Sequence, residues 1–217
     1  MDYSIRAITR DELAIPLSWA ADEGWNPGLS DAESFITIDR NGFYMGFLDN
    51  EPIASLSAVS YGSAFGFLGL YIVKPAYRGK GYGWKLWQKA ITHLPTQNIG
   101  LDGVVAQQEN YKKSGFRFAY RNIRYEGMGI KEKIADPQIV SLLDVPPALL
   151  NAYDQSVFLI PRPAFLASWI QQPGGMAIGY LTGSSLTGYG VIRPCKTGYK
   201  IGPLFADSHL VANLLFR

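Results

Sequence analysis

Cysteine, histidine and net charge are all scarce in this 217-residue chain. The single cysteine, Cys195, excludes an internal disulfide and any multi-cysteine zinc site, and is compatible with a reducing compartment. The two histidines, His93 and His209, are too isolated to propose as ligands, and no metal is expected. Twenty basic and 18 acidic residues leave a formal charge of +2, too small for a field that would hold nucleic acid or an anionic membrane surface. No run approaches the length of a membrane span, and MDYSIRAITRDEL lacks the charged and then apolar regions of a secretory signal. The expectation is a soluble cytoplasmic protein. Apolar residues make up 47%, enough for a real core in one large domain or two small ones.

Residues 3–8, YSIRAI, alternate like an edge strand, and Thr9 with Glu12 forms a capping-box pattern for a helix through about Trp19, with Pro16 inside it. Ser30 and Glu33 repeat that pattern before a short helix, leaving GWNPG (24–28) as the connection. NGFYMGFLDN, EPIASLSAVS and SAFGFLGLYIV then read as an antiparallel meander, and the nearly all-apolar third run is expected to be central. Trp84, Trp87, Ile91 and Leu94 recur at helical spacing. QNIGLDGVV reads as a short strand, AQQENYKKSG as a helix ending at Gly115, and FRFAYRNIRYEG as a closing strand or hairpin. Composition shifts near residue 130, at KEKIADPQ, which suggests domains at 1–129 and 130–217.

The second part repeats the order of the first 95 residues: helices at about 137–153 and 162–171, strand-like GMAIGYLT, SLTGYGVIRPC and TGYKIGPLF, then helix-like SHLVANLLF. This is a degenerate internal repeat at an offset of very roughly 120 residues that stops early, as in a truncated copy. One edge of the second sheet is therefore expected to lack a strand. That edge would be satisfied by the first sheet continuing across, with FRFAYRNIRYEG reaching over, or by a second copy of the chain.

The stretch VKPAYRGKGYGWKLW (73–87) leaves the third run through a loop that is both basic and nearly bare of side chains. Successive backbone N–H groups at Arg78, Gly79, Lys80, Gly81, Tyr82 and Gly83 can converge on oxygens, and the positive end of the following helix points the same way. Such a loop suits a pyrophosphate, yet it is neither a Rossmann loop nor a P-loop, since Gly79-Lys80 is followed by Gly81. Taken alone, a glycine-rich turn with solvated Arg78 and Lys80 is an equally good reading.

The arrangement of strand, Val73, Pro75, Arg78-Gly-Lys-Gly81-Tyr-Gly83 and amphipathic helix resembles the acetyl-CoA loop of the GNAT superfamily of N-acetyltransferases, with Arg78, Gly81 and Gly83 in the places of its pattern. ENYKKSGF (109–116) is similar to that family's late helix, with Tyr111, Gly115 and Phe116 matching, and residues 3–128 follow the family's order of elements. GWNPG, NIGLDGVVAQQENYKKSGF and YRNIRYEG together resemble a subgroup carrying a second GNAT-like half. The resemblance implies an α/β (α+β) GNAT fold, with a mixed, mostly antiparallel sheet flanked by helices, followed by a smaller incomplete GNAT-like half. It further implies acetyl transfer from acetyl-CoA to a small-molecule or protein amine, directly in a ternary complex.

By the same resemblance, the loop from Arg78 to Gly83 holds the CoA pyrophosphate, and the strand around Leu70, Ile72 and Val73 meets the pantetheine arm and polarises the thioester carbonyl through a backbone amide. Tyr111 is the implied general acid for the CoA sulfur. The third run carries no Asp, Glu or His where many relatives place a base, which leaves Asp102 first and Glu126 second. Val104 stands where the family often has asparagine. Trp25, Asn26 and Asp31 lie where the family binds the acceptor, with Glu126 as a further contact, although a packed turn explains GWNPG more simply. KIGPLFADS, facing RGKGYGWK in the repeat, has no glycine pair to bind pyrophosphate, so the second half would serve as structure or as an acceptor-site wall. A noncatalytic acyl-CoA-binding module remains the alternative, and the chain would be a monomer or a homodimer.

Overall fold

The computed structural model describes every residue except 95–97, 130–134 and 159. Contacts divide it into two compact units, Met1–Ile8 with Asn41–Gly129, and Thr9–Arg40 with Ile130–Arg217. The start of the composition break at KEKIADPQ falls outside the described residues, and the segment 9–40, read from sequence as part of the first domain, packs in the second unit.

The first unit is built on a five-stranded sheet in the order β1 (Tyr3–Ala7), β2 (Phe43–Leu48), β3 (Glu51–Tyr61), β4 (Phe65–Val73), β5 (Asn98–Leu101). The first four strands pair antiparallel and β5 runs parallel to β4, reached through the crossover helix α3 (Tyr82–Ile91). The apolar third run is thus interior but not central. That place belongs to β3, whose Ile53, Ala54, Leu56 and Ala58 are all but fully buried.

On α3 the buried residues are Gly83, Leu86, Trp87 and Ala90. Trp84, expected on that stripe, is 53% exposed, because Gly83 one position earlier occupies the closest approach to the sheet. α4 (Gln108–Lys113) follows and ends at Gly115, whose φ of 91° is left-handed as the sequence suggested. FRFAYRNIRYEG, expected to close the sheet, forms no strand: residues 117–129 are exposed and without regular structure. Its alternating aromatics give it strand propensity, but a strand exists only where a ladder partner takes up its amides, and β5 ends the hydrogen-bonded order.

In the second unit, β6 (Ile139–Ser141), β7 (Met176–Thr182), β8 (Ser185–Pro194) and β9 (Tyr199–Ala206) form an antiparallel sheet in sequence order. With it come α5 (Pro147–Phe158), α6 (Pro163–Trp169) and α7 (His209–Phe216), together with α1 (Ala14–Asp22) and α2 (Asp31–Phe35). The first capping box forms: Thr9 N–H donates to Glu12 Oε2 at 2.9 Å and Glu12 N–H to Thr9 Oγ1 at 3.4 Å. The second does not, because Glu33 pairs with Arg10 and it is the inward-turned Asp31 that takes the Gly28 N–H, at 2.8 Å.

The internal repeat is real, with an offset of 134 residues rather than about 120. The register shift of β2–β3 at Gly46/Phe47 recurs in β7–β8 at Tyr180/Leu181. On α2 and α6 the repeat-related hydroxyls of Ser34 and Ser168 meet at 2.8 Å, and Phe35 stacks on Trp169. Among the described residues the strands form two separate ladders.

Candidate active site

β4 and β5 pair only from Phe65–Asn98 to Leu68–Leu101, after which β5 ends while β4 runs on to Val73. The cause lies on the other side of β4. Between Ser55 and Ser57 the β3–β4 register shifts, and Leu70 adopts φ 47°, a left-handed conformation worth roughly 1–3 kcal/mol of strain for such a residue. Ser55 Oγ donates to the Leu70 carbonyl at 2.7 Å and holds it there. The bulge lets β4 swing away from β5 and opens a cleft at the carboxyl end of both.

Lys74 N–H donates to Ile53 O at 2.9 Å, so the alternation of amides along β4 turns the Ile72 N–H toward β3 and the Val73 N–H toward the open edge. Of the three strand residues expected to meet the thioester, Val73 has its amide on the cleft side, while the Ile72 side chain is buried and Leu70 supplies the bend. Arg78 Nε donates to Val73 O at 2.8 Å, tying the loop to this edge.

From Val73 the chain makes a short 3-10 turn over Pro75–Tyr77 and enters the glycine loop. Gly79 and Gly81 have φ of 74° and 82°, and a Cβ on either would meet nothing within 4 Å. Their glycine is needed for backbone conformation, and the space beside them is open. Gly81 caps α3, leaving the first-turn amides of Tyr82 and Gly83 with no intrahelical acceptor. Gly83 is glycine for another reason: a Cβ there would lie 2.7 Å from Tyr71 Oη and 2.8 Å from Val73 Cγ2. Arg78 and Lys80 are exposed, and Lys80 Nζ lies 5.7 Å from the centre of the Tyr77 ring. Glu51 anchors the base of the loop by accepting from Lys74 Nζ and Tyr77 Oη, each at 2.9 Å, and those bonds hold its carboxyl below the usual range. Open left-handed glycines, unpaired helix-start amides and two exposed cations make a cradle that fits a pyrophosphate.

Tyr111, on α4, packs against the core of the first unit beside the residues that follow β5. Its ring stacks on Trp87 at 6.0 Å and covers Gly103, where a Cβ would be 2.4 Å from Tyr111 Cε2. Burial raises its pKa, so the phenol stays protonated at neutral pH. Asp102 follows β5 directly, next to that Gly103; it is exposed and accepts from Asn122 Nδ2 at 2.7 Å. Glu126 is exposed in the segment after α4.

Of the expected acceptor residues only Glu126 belongs to this cleft's own unit. Trp25, Asn26 and Asp31 pack in the second unit, and two of them have their polar atoms occupied there. Asn26, at φ 47°, exchanges two hydrogen bonds with Thr197, and Lys200 Nζ donates to the carbonyls of Trp25 and Asn26. Asp31, 2% exposed, receives Arg193 Nε at 2.7 Å and Nη2 at 3.2 Å in addition to Gly28 N–H. Sequence reasoning missed Ser55, Tyr71 and Trp87. A hydroxyl-bearing tyrosine in a strand, FGFLGLYIV, whose other residues are all apolar or glycine was the one available signal.

Among its described residues the second half has no such cradle. Pro203 and Leu204, taken from sequence as the equivalent turn, lie inside β9, and Ala206 reaches α7 through Asp207 and Ser208 alone. Ser208 Oγ caps α7 by accepting the Val211 N–H at 3.2 Å. The loop is missing, not merely stripped of its glycines. Among the described residues no group of His, Cys, Asp and Glu could hold a metal, and no helix is long and apolar enough to cross a membrane.

Comparison with known proteins agrees with this geometry. Residues 7–116 match the model of the acetyltransferase (GNAT) family and residues 150–217 that of an acetyltransferase (GNAT) domain. The holothin acyltransferase of Pseudoalteromonas sp. (strain SANK 73390) is 35% identical over 99% of this chain and 73% of its own. A crystal structure of a protein from Pyrococcus horikoshii described as an acetyltransferase superposes with a TM-score of 0.81 at 26% identity, over 98% of this chain and 74% of that one. A GCN5-related N-acetyltransferase from Kribbella flavida shares the fold with a TM-score of 0.50 at 16% identity, over 99% of this chain and 61% of that one. The chain therefore belongs to the GNAT family of acyltransferases and carries a second GNAT-like region in its C-terminal part.

Proposed function

We propose that the protein transfers the acetyl group of acetyl-CoA to an amine, directly within a ternary complex. The observation that carries this reading is the coincidence of the loop cradle with the β4–β5 cleft and a protonated phenol in one unit. Acetyl-CoA, when bound, supplies the activated acetyl group. The amides of Gly81 to Gly83, with Arg78 and Lys80, would hold its pyrophosphate, and the Val73 N–H would donate to the thioester oxygen as charge develops there. Tyr111 gives its Oη proton to the departing sulfur. Asp102 takes the proton that the amine sheds, through water, because it stands in solvent one residue from the glycine under Tyr111. No nucleic acid or membrane is needed for this chemistry. The similar protein from Pseudoalteromonas is named for acyl transfer to holothin, so holothin is the first acceptor to test, ahead of protein amines.

Tyr111→Phe is expected to lower turnover by about 10²-fold while leaving acetyl-CoA affinity within twofold, because only the proton transfer is lost. Initial rates with holothin and calorimetric titration of acetyl-CoA check it. Unchanged turnover would remove Tyr111 from the mechanism.

A further inference from the structure

Trp84 has the largest side chain in the first turn of α3, and the core does not use it. It is 53% exposed, and among the described residues its indole makes no hydrogen bond and no ring contact. The helix explains this placement. Gly83 faces Tyr71 and Val73 on β4, and the next residue projects about 100° further round the axis, away from the sheet. Side chains on a helix also lean toward its N-terminus, so Trp84 leans over the turn that holds Gly81, three residues earlier. The space beside Gly81 is open, with nothing within 4 Å of where a Cβ would stand, so the indole does not close over the loop. Lys80, four residues before Trp84, and Lys85, directly after it, are both exposed, and among the described residues neither enters a salt bridge.

We infer that Trp84 is the stacking platform for the adenine of acetyl-CoA. The inference rests on the amides of Gly81 to Gly83 holding the pyrophosphate of acetyl-CoA, as proposed above. CoA extends both ways from its pyrophosphate. On one side runs the pantetheine arm, and on the other a single ribose carries the adenine and a 3′-phosphate. Val73 and the β4–β5 cleft lie on the side that Gly83 faces, which leaves the nucleotide the other side of the helix start, where Trp84 stands. One ribose is short, so the base stays within reach of a side chain in the same turn. Stacking needs only a free π face, and the indole offers one that no ring covers among the described residues. Lys80 and Lys85 supply positive charge beside it for the 3′-phosphate. No bond is made or broken, so Trp84 acts on donor affinity and not on the chemical step.

The test uses the whole chain with Trp84→Ala and Trp84→Phe, each titrated with acetyl-CoA by calorimetry and by tryptophan fluorescence. Trp84→Ala is expected to weaken acetyl-CoA binding about 10- to 100-fold, the loss that follows removal of an aromatic partner from a stacked base. Trp84→Phe keeps an aromatic face and should stay within about fivefold of the unaltered chain. A stacked base quenches the indole that carries it. Acetyl-CoA should therefore quench the unaltered chain, and most of that quench should vanish in Trp84→Phe although Trp19, Trp25, Trp87 and Trp169 remain. A merely structural role for Trp84 would not move the quench in that way. Unchanged acetyl-CoA affinity in Trp84→Ala, or an undiminished quench in Trp84→Phe, would overturn the inference. An unaltered chain that binds no acetyl-CoA, or a folded Gly81→Val chain that binds it with full affinity, would instead refute the loop assignment on which the inference rests.

Discussion

Gly81→Val is expected to lower acetyl-CoA affinity by two to four orders of magnitude without unfolding the protein. Gly81 sits at φ 82° as the residue that starts α3, a conformation that costs a β-branched residue at least about 1–2 kcal/mol. Nothing lies within 4 Å of a Cβ there, so the cost is conformational and is relieved by turning the peptide back to negative φ. That rotation takes the N–H groups at the start of α3 away from the open side of the loop. Losing two charge-assisted hydrogen bonds at about 1.5–3 kcal/mol each gives about 3–6 kcal/mol, and each 1.4 kcal/mol is tenfold in Kd. Calorimetric titration measures the loss and thermal unfolding verifies the fold. Full affinity in a folded Gly81→Val protein would sink the assignment of the loop.

Asp31→Asn is expected to destabilise the protein by about 3–5 kcal/mol, because it leaves the Arg193 guanidinium buried without its counter-charge. The Asp31 and Arg193 side chains are only 4% and 7% exposed. Arg193 also lies 4.2 Å over the Trp169 ring and reaches Gly202 O, so it cannot swing out to water without dismantling the core around α6. In a chain of this length the loss corresponds to a fall in Tm of roughly 6–20 °C. Scanning calorimetry reads it. If Asp31→Asn kept its Tm and instead raised only the KM for the amine, Asp31 would be an acceptor ligand after all and the structural role would be wrong.

Asp31 illustrates where sequence reading stopped. Its neighbours GWNPG pointed to a loop, which it is, but the partner of its carboxylate stands 162 residues away, and no local pattern encodes that pairing. The glycine loop was legible because positive φ and close approach leave a local trace, namely glycines at 79, 81 and 83 beside two cations. The meander was legible because turn residues separate its three apolar runs. What makes the cleft, the left-handed Leu70, was not, since leucine gives no hint of such a conformation and the strain is held by Ser55 from the adjacent strand. FRFAYRNIRYEG shows the converse failure, a strand-like pattern without a ladder to join. Likewise the repeat was visible in its order of elements, while its true offset and the loss of the second loop needed the registers of β7–β9.

The claim that one loop of the first half binds acetyl-CoA is tested most directly by following backbone amide resonances of the whole chain during titration with acetyl-CoA. The structure predicts saturable shifts at Val73 and at Gly79 to Trp84, with one equivalent bound and no comparable change from Asp207 to Val211. Shifts centred on residues 207–211, or saturation without movement at Gly81 and Gly83, would contradict it.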